Sequence, residues 1–151
     1  MAMKKDLGLY IHIPFCVKKC AYCDFLSWSG DKEQRVDYVR ALEQEILSYK
    51  NFAEDYQVST LYFGGGTPSV LEGELLERIM EAIRRTFQIE EKAEVTLEMN
   101  PGTALKEKLE LYKKLGINRL SMGIQSVKNE NLKLLGRIHT YEDFLESYCM
   151  A

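Results

Sequence analysis

No run in the sequence approaches the roughly 20 consecutive apolar residues that a helix needs to cross a bilayer. Nor is there an excess of positive charge: 20 basic and 23 acidic residues leave a net charge of −3. Without a global positive field to attract a phosphate backbone, nucleic acid is excluded as the expected partner. A secretory signal is missing as well. Met1-Ala2-Met3-Lys4-Lys5 does precede a mostly apolar stretch, but His12 and Pro14 interrupt it. Phe15 rather than a small residue stands before Cys16, so neither a signal-peptidase site nor a lipoprotein cleavage site fits. Low-complexity tracts and internal repeats beyond an alternation of strands and helices are also absent. Together these absences give the expectation of a soluble cytoplasmic protein. At 151 residues the chain can bury about two-thirds of its unfolded surface without staples. In that compartment its clustered cysteines read as metal ligands or redox groups rather than structural disulfides.

Three of the four cysteines are clustered. Cys16, Cys20 and Cys23 stand at C-x3-C-x2-C directly after an apolar run, 7–15, that reads as a buried strand ending in a loop. A 4Fe-4S cluster normally takes four cysteines, so three thiolates on one short loop imply an iron left open to a small molecule. Structural zinc would need a fourth ligand. His12 lies within the strand, Cys149 is far along the chain, and no second C-x2-C pair exists. A redox pair of Cys20 and Cys23 leaves Cys16 unexplained. On spacing alone iron-sulfur leads, with zinc and redox thiols as open alternatives.

Strand-like and helix-like segments alternate, the signature of βα units on a parallel sheet. The first unit is strand 7–15, the cysteine loop and a helix over 31–49 with Val36, Val39, Leu42, Ile46 and Tyr49 on one face, capped by Asp31 or Ser29. The second is strand 58–63, the run Gly64-Gly65-Gly66-Thr67-Pro68 and a helix over 72–87. The third is strand 94–99, Asn100-Pro101-Gly102 and a helix over 104–115 whose face includes Leu105 and Leu109, ended by Gly116. The fourth is strand 117–125, a short helical piece at 129–135 and the start of a helix at Tyr141.

Within the strands, Leu9, Ile11 and Ile13 oppose Tyr10 and His12, and Val95, Leu97 and Met99 oppose Glu94, Thr96 and Glu98. Leu120, Met122 and Ile124 oppose Arg119, Ser121, Gly123 and Gln125. A sheet covered on both faces would be apolar on both. One polar face argues for a curved α/β sheet with its helices outside and the polar face lining a lumen, a partial TIM-like (βα) barrel. Active sites of such barrels lie at the carboxyl ends of the strands, where the cysteines, the glycine run, Glu98 and Gln125 fall. With four units and an unpaired last strand, residues 1–151 read as the amino-terminal part of a longer protein, an incomplete core domain that by itself retains part of a site.

Several motifs resemble the radical S-adenosylmethionine (SAM) enzymes. They are Tyr10-Ile11-His12-Ile13-Pro14-Phe15-Cys16 with Cys20, Tyr22 and Cys23; Tyr62-Phe63-Gly64-Gly65-Gly66-Thr67-Pro68-Ser69; Glu98-Met99-Asn100-Pro101-Gly102-Thr103; Ser121-Met122-Gly123-Ile124-Gln125-Ser126; and Leu135-Gly136-Arg137-Ile138-His139-Thr140. The sequence looks most like the branch holding oxygen-independent coproporphyrinogen III oxidases and related haem chaperones. The resemblance implies the first four of about six βα units of a radical SAM barrel. It implies a 4Fe-4S cluster on Cys16, Cys20 and Cys23, with SAM on the open iron and one-electron cleavage giving a 5'-deoxyadenosyl radical. By the same resemblance Gly65, Gly66, Thr67, Glu98, Gln125 and Arg137 contact SAM, flanked by Tyr10 and Tyr22. Lys18 and Lys19 would favour an acidic electron donor such as a flavodoxin.

Within the branch, the oxidases carry another cysteine two residues after the third, whereas this chain reads Cys23-Asp24-Phe25. Phenylalanine matches the haem chaperones, which implies haem as cargo passed to haem-accepting proteins. The alternative is oxidative decarboxylation of a porphyrinogen.

Overall fold

The computed structural model describes residues 4–103 and 106–151. Among them lie a parallel sheet of four strands and six α-helices. β1 (Lys5–Ile13) leads through the cysteine loop to α1 (Lys32–Ser48), followed by the single turn α2 (Lys50–Ala53). β2 (Tyr56–Gly65) runs into a 3-10 turn, Pro68–Val70, and α3 (Gly73–Thr86). β3 (Ile89–Met99) precedes α4 (Lys106–Lys114), and β4 (Arg119–Met122) precedes α5 (Asn129–Leu134) and α6 (Tyr141–Met150).

The strand order is β1-β2-β3-β4, each strand parallel to the one before it. Because βα crossovers are right-handed, a chain that always steps to the same side lays every helix on the same face. This is the reason the sheet is covered on one face and open on the other. Ile11, Ile13, Leu61, Phe63, Val95 and Leu97 are buried against Leu76, Ile79, Met80 and Ile83 of α3 and Val39 and Ile46 of α1. Tyr10, by contrast, is 58% exposed on the opposite face. The open face and the unclosed edge at β4 agree with the expected partial barrel.

Local signals hold the elements in register. Asp31 caps α1 by accepting from the backbone of Gln34, whose side chain accepts from Asp31 N, a reciprocal capping box. Thr140 and Asp143 form the same device at α6. Some expectations need correction. Tyr49 does not join the buried face of α1; it caps the helix and packs edge-on against Phe52. β2 and β3 begin earlier than expected because polar residues such as Gln57, Glu91 and Lys92 still extend the backbone at the far end of the sheet. β4 ends at Met122, so Gly123, Ile124 and Gln125 belong to the loop after it. The expected helix start near 104, with Leu105, lies outside the described residues; the helix is described from Lys106.

Candidate cofactor site

The cysteine loop is closed at its base by two backbone hydrogen bonds, Cys16 N to Trp28 O and Trp28 N to Pro14 O, both 2.9 Å. Phe15, fully buried, meets Trp28 and Tyr38 edge-on and fixes the strand exit beneath them. Further out, His12 Nε2 lies 3.0 Å from Leu26 O. A carbonyl only accepts, so this nitrogen donates, while Nδ1 lies 3.4 Å from the Tyr10 hydroxyl. Lys19 Nζ donates to Phe25 O at 3.2 Å, and Ala21 N to Leu135 O at 3.2 Å. The loop is therefore tied to its own strand, to itself and to the segment after α5.

The glycine run explains its own composition. A Cβ on Gly66 would sit 2.7 Å from Phe15 O and 2.9 Å from Pro14 C, because Gly66 N donates to Ile13 O and Thr67 N to Phe15 O. Gly65, at φ +115°, has the His12 ring where a side chain would go, with Cε1 2.6 Å away. Close approach of the β1 and β2 ends thus requires these glycines, independently of any ligand.

Cys16, Cys20, Tyr22, Cys23, Gly65, Gly66, Thr67, Glu98, Gln125 and Arg137, all expected site residues, line one cleft of about 280 Å³ at the carboxyl ends of the strands. Tyr10, also expected there, is not in its lining. It stacks on Tyr62 at 5.9 Å, and Tyr62 Oη donates to Glu98 Oε1 at 2.7 Å, so Tyr10 reaches the cleft through that neighbour. The second Glu98 oxygen accepts from Gly65 N at 3.2 Å. Burial first, and then the Glu98 carboxylate, raise the Tyr10 and Tyr62 phenols above their ordinary value, so both stay protonated donors. Burial likewise raises Tyr22, against the opposing pull of Arg137.

Gln125 occupies a left-handed backbone conformation, φ 64°. For a non-glycine residue this costs about 1–2 kcal/mol. It brings the Gln125 amide over Gly123, beside the place a Cβ there would fill. His139, buried, has Nε2 3.2 Å from Ile124 O and braces the turn from behind. The sequence placed Gln125 on a strand, and the structure corrects this to a strained loop position.

Arg137 stands in the cleft wall. Its Nη1 donates to Cys20 Sγ at 3.4 Å, and its Nη2 to Asn100 Oδ1 at 2.7 Å and Gly123 O at 2.9 Å. Its Nε is buried without a partner among the described residues. Asn100 Nδ2 in turn donates to Thr67 Oγ1 at 3.0 Å, and Thr67 Oγ1 to Cys16 Sγ at 3.5 Å. Sequence reasoning gave Asn100 no role, and no local pattern could have done so, since its partners stand 33 and 37 residues away. Lys108, half-buried and lowered in pKa by that burial, donates to Ser69 O at 2.6 Å and closes the 3-10 turn behind Thr67. Cys149, on α6, is exposed and apart from the other three cysteines.

The donor set fits an iron-sulfur group, whose irons are held by cysteine thiolates. Three thiols opening onto one cleft suit a cluster, in which each sulfur serves a different iron. The unpartnered Nε of Arg137, a donor only, fits an anionic group such as a carboxylate. No helix among the described residues is long and apolar enough to cross a membrane.

Comparison with known proteins bears out the resemblance. The Radical SAM superfamily matches residues 10–148. The chain is 42% identical to the heme chaperone HemW of Escherichia coli (strain K12) over 140 residues, 92% of this chain and 37% of that protein. It is 36% identical to the oxygen-independent coproporphyrinogen-III oxidase-like protein HemZ of Bacillus subtilis (strain 168) over 155 residues, 99% of this chain and 31% of that protein. Among solved structures, coproporphyrinogen III oxidase (HemN) from Escherichia coli, a radical SAM enzyme, superposes with a TM-score of 0.91 at 34% identity, covering 98% of this chain and 34% of that one. The chain spans about a third of the length of these relatives.

Proposed function

The chain belongs to the Radical SAM superfamily, and on that premise we propose that Cys16, Cys20 and Cys23 hold a 4Fe-4S cluster beside a SAM site, in a protein that binds haem and transfers it to haem proteins. The observation that supports this most directly is the convergence on one cleft of the three thiols with Thr67, Glu98, Gln125 and Arg137, side chains from four successive βα units. When bound, the cluster supplies one electron for cleavage of the sulfonium carbon-sulfur bond of SAM. The residues of the chain bind and orient. Arg137 brings its positive charge and its unpartnered Nε donor to the carboxylate of an amino-acid head group. Glu98, its oxygens held by Tyr62 and Gly65, accepts from the ammonium. Gln125 and the backbone around Gly66 and Thr67 complete the polar wall, and Tyr22 offers a flat surface for a purine.

Phe25 favours haem handling over porphyrinogen oxidation. It is 70% exposed at the cleft rim, where the oxidase pattern carries a further cysteine, and the named heme chaperone relative supports that reading. The fold likeness to coproporphyrinogen III oxidase keeps a second reading, oxidative decarboxylation of porphyrinogen propionates. Lys18 and Lys19 at the same rim suit an acidic reductant such as a flavodoxin.

Anaerobic reconstitution followed by parallel assays of haem binding and coproporphyrinogen turnover separates the two. Haem binding without turnover is expected, and protoporphyrinogen formation at enzymatic rates would reverse the assignment. Adding SAM should alter the spectrum of the reduced protein. Cys16→Ala should abolish cluster uptake while Cys149→Ala retains it; equal iron content in both would refute the ligand set.

A further inference from the structure

We propose that Asn100 is a positioning residue that fixes the direction of hydrogen-bond donation to Cys16 and Cys20, and thereby raises the reduction potential of the cluster those thiols hold. The inference rests on the cluster reading above and concerns a residue to which that reading gives no part. The two sulfurs belong to one loop, yet each is bonded by a side chain from a different unit: Cys16 by Thr67, after β2, and Cys20 by Arg137, after α5. Asn100, after β3, is the group that joins those two side chains.

Arg137 settles the polarity of the whole chain of bonds. A guanidinium has donors only, so the Asn100 atom 2.7 Å from it must be the carbonyl oxygen, and the amide nitrogen must face Thr67. That nitrogen donates to Thr67 Oγ1, which occupies an oxygen lone pair and leaves the hydroxyl hydrogen directed at Cys16 Sγ, 3.5 Å away. On the other arm, the Asn100 carbonyl and Gly123 O together hold Nη2, which aims Nη1 at Cys20 Sγ. One planar group with a donor and an acceptor thus orients a hydrogen toward each of two sulfurs. Among side chains only asparagine and the longer glutamine carry an amide, and the isosteric aspartate would lack the donor.

Hydrogen bonds to cluster sulfurs are among the determinants of iron-sulfur potentials. They withdraw electron density and favour the more electron-rich, reduced state. Groups behind metal ligands orient them and tune the metal in the same manner. Removing Asn100 leaves Thr67 without the bond that fixes its hydroxyl and Arg137 with one carbonyl fewer to orient it, so both sulfurs lose directed donors.

The test is a redox titration, followed by electron paramagnetic resonance, of the anaerobically reconstituted protein. At a poise where half the parent clusters are reduced, Asn100→Ala should show a reduced-to-oxidised ratio about tenfold lower, equivalent to about 59 mV for one electron. An unchanged midpoint at equal iron content would overturn the proposal. Thr67→Val keeps the volume and removes the hydroxyl, and it serves if Asn100→Ala takes up less iron. Its midpoint should also fall, and Asn100→Ala added to it should lower the midpoint by less than Asn100→Ala does alone; full additivity would equally overturn the proposal. The parent's iron content judges the cluster reading separately, since a parent without iron removes that reading before any variant is compared.

Discussion

Replacing Gly66 by alanine tests whether the glycine run answers to the protein or to its ligand. The added methyl would meet Phe15 O at 2.7 Å, Pro14 C at 2.9 Å and Phe15 C at 3.0 Å, all backbone atoms. Comfortable carbon contacts begin at about 3.5 Å, so the ends of β1 and β2 must separate by about 0.5–1 Å. Ile13 and Phe15 are fully buried and cannot move outward. The bonds Gly66 N to Ile13 O, 2.8 Å, and Thr67 N to Phe15 O, 2.7 Å, then stretch beyond useful length. Two such bonds contribute about 1–3 kcal/mol, and overpacking adds about 1–3 kcal/mol. Gly66 is not among the residues at positive φ, so backbone strain adds nothing. The expected loss of about 2–6 kcal/mol is a large part of an ordinary domain's stability. With a urea slope of about 2 kcal/mol/M, the midpoint of the ligand-free, reduced protein should fall by about 1–3 M. A fall below about 0.3 M at unchanged slope would refute the packing argument and return the run to a role in ligand approach alone.

Two further changes probe the frame around the site. The Tyr112 hydroxyl is buried without a partner among the described residues, and burial pushes the phenol from 10.0 up to about 12. Tyr112→Phe should therefore raise the urea midpoint, by about 1 kcal/mol of stability. The parent should lose stability as pH rises from 10.0 toward about 12, where the unfolded phenol ionises first, while the variant lacks that loss; equal alkaline limbs in urea melts would contradict this. Burial alone would raise the Glu72 carboxyl, but the Arg35 fork, at 2.9 and 3.2 Å, and a backbone bond outweigh it and hold the group below 4.5. Its contribution is present above the ordinary carboxylate value and lost as pH falls through the lowered one. Arg35→Met should flatten the acid limb of stability below about pH 4.5, and an unchanged limb would show the pair to be inert.

Much of this was legible because parallel strands with one open face write their orientation into the sequence. Ile11 and Ile13 against Tyr10 and His12, or Val95 and Leu97 against Glu94 and Glu98, needed only period-two alternation. The gathering of Cys16, the glycine run and Glu98 followed from placing motifs at the carboxyl ends of successive strands, whereas Arg137 was expected there only through the resemblance to the family. The illegible parts depend on three-dimensional neighbours. Gln125 kept the apparent alternation of β4 while its backbone had already turned left-handed. The 3-10 turn Pro68–Val70 is held by Lys108, which stands 39 residues from Ser69. Asn100 gains its meaning from two groups that no local pattern links to it.

The contact between Cys20 and Arg137 spans 117 residues, which gives the site a schedule as well as a shape. Strands laid down in sequence order can pack as each emerges, so β1 and its thiols can be in place while the fourth unit is still being synthesised. At about 5–20 residues per second, the span of 117 residues takes about 6–23 s. During that interval the cysteine loop has neither the Leu135 carbonyl against Ala21 nor the Arg137 guanidinium against Cys20. Its thiols then lack the cover those two contacts give, so the order of emergence leaves them more accessible until residue 137 arrives.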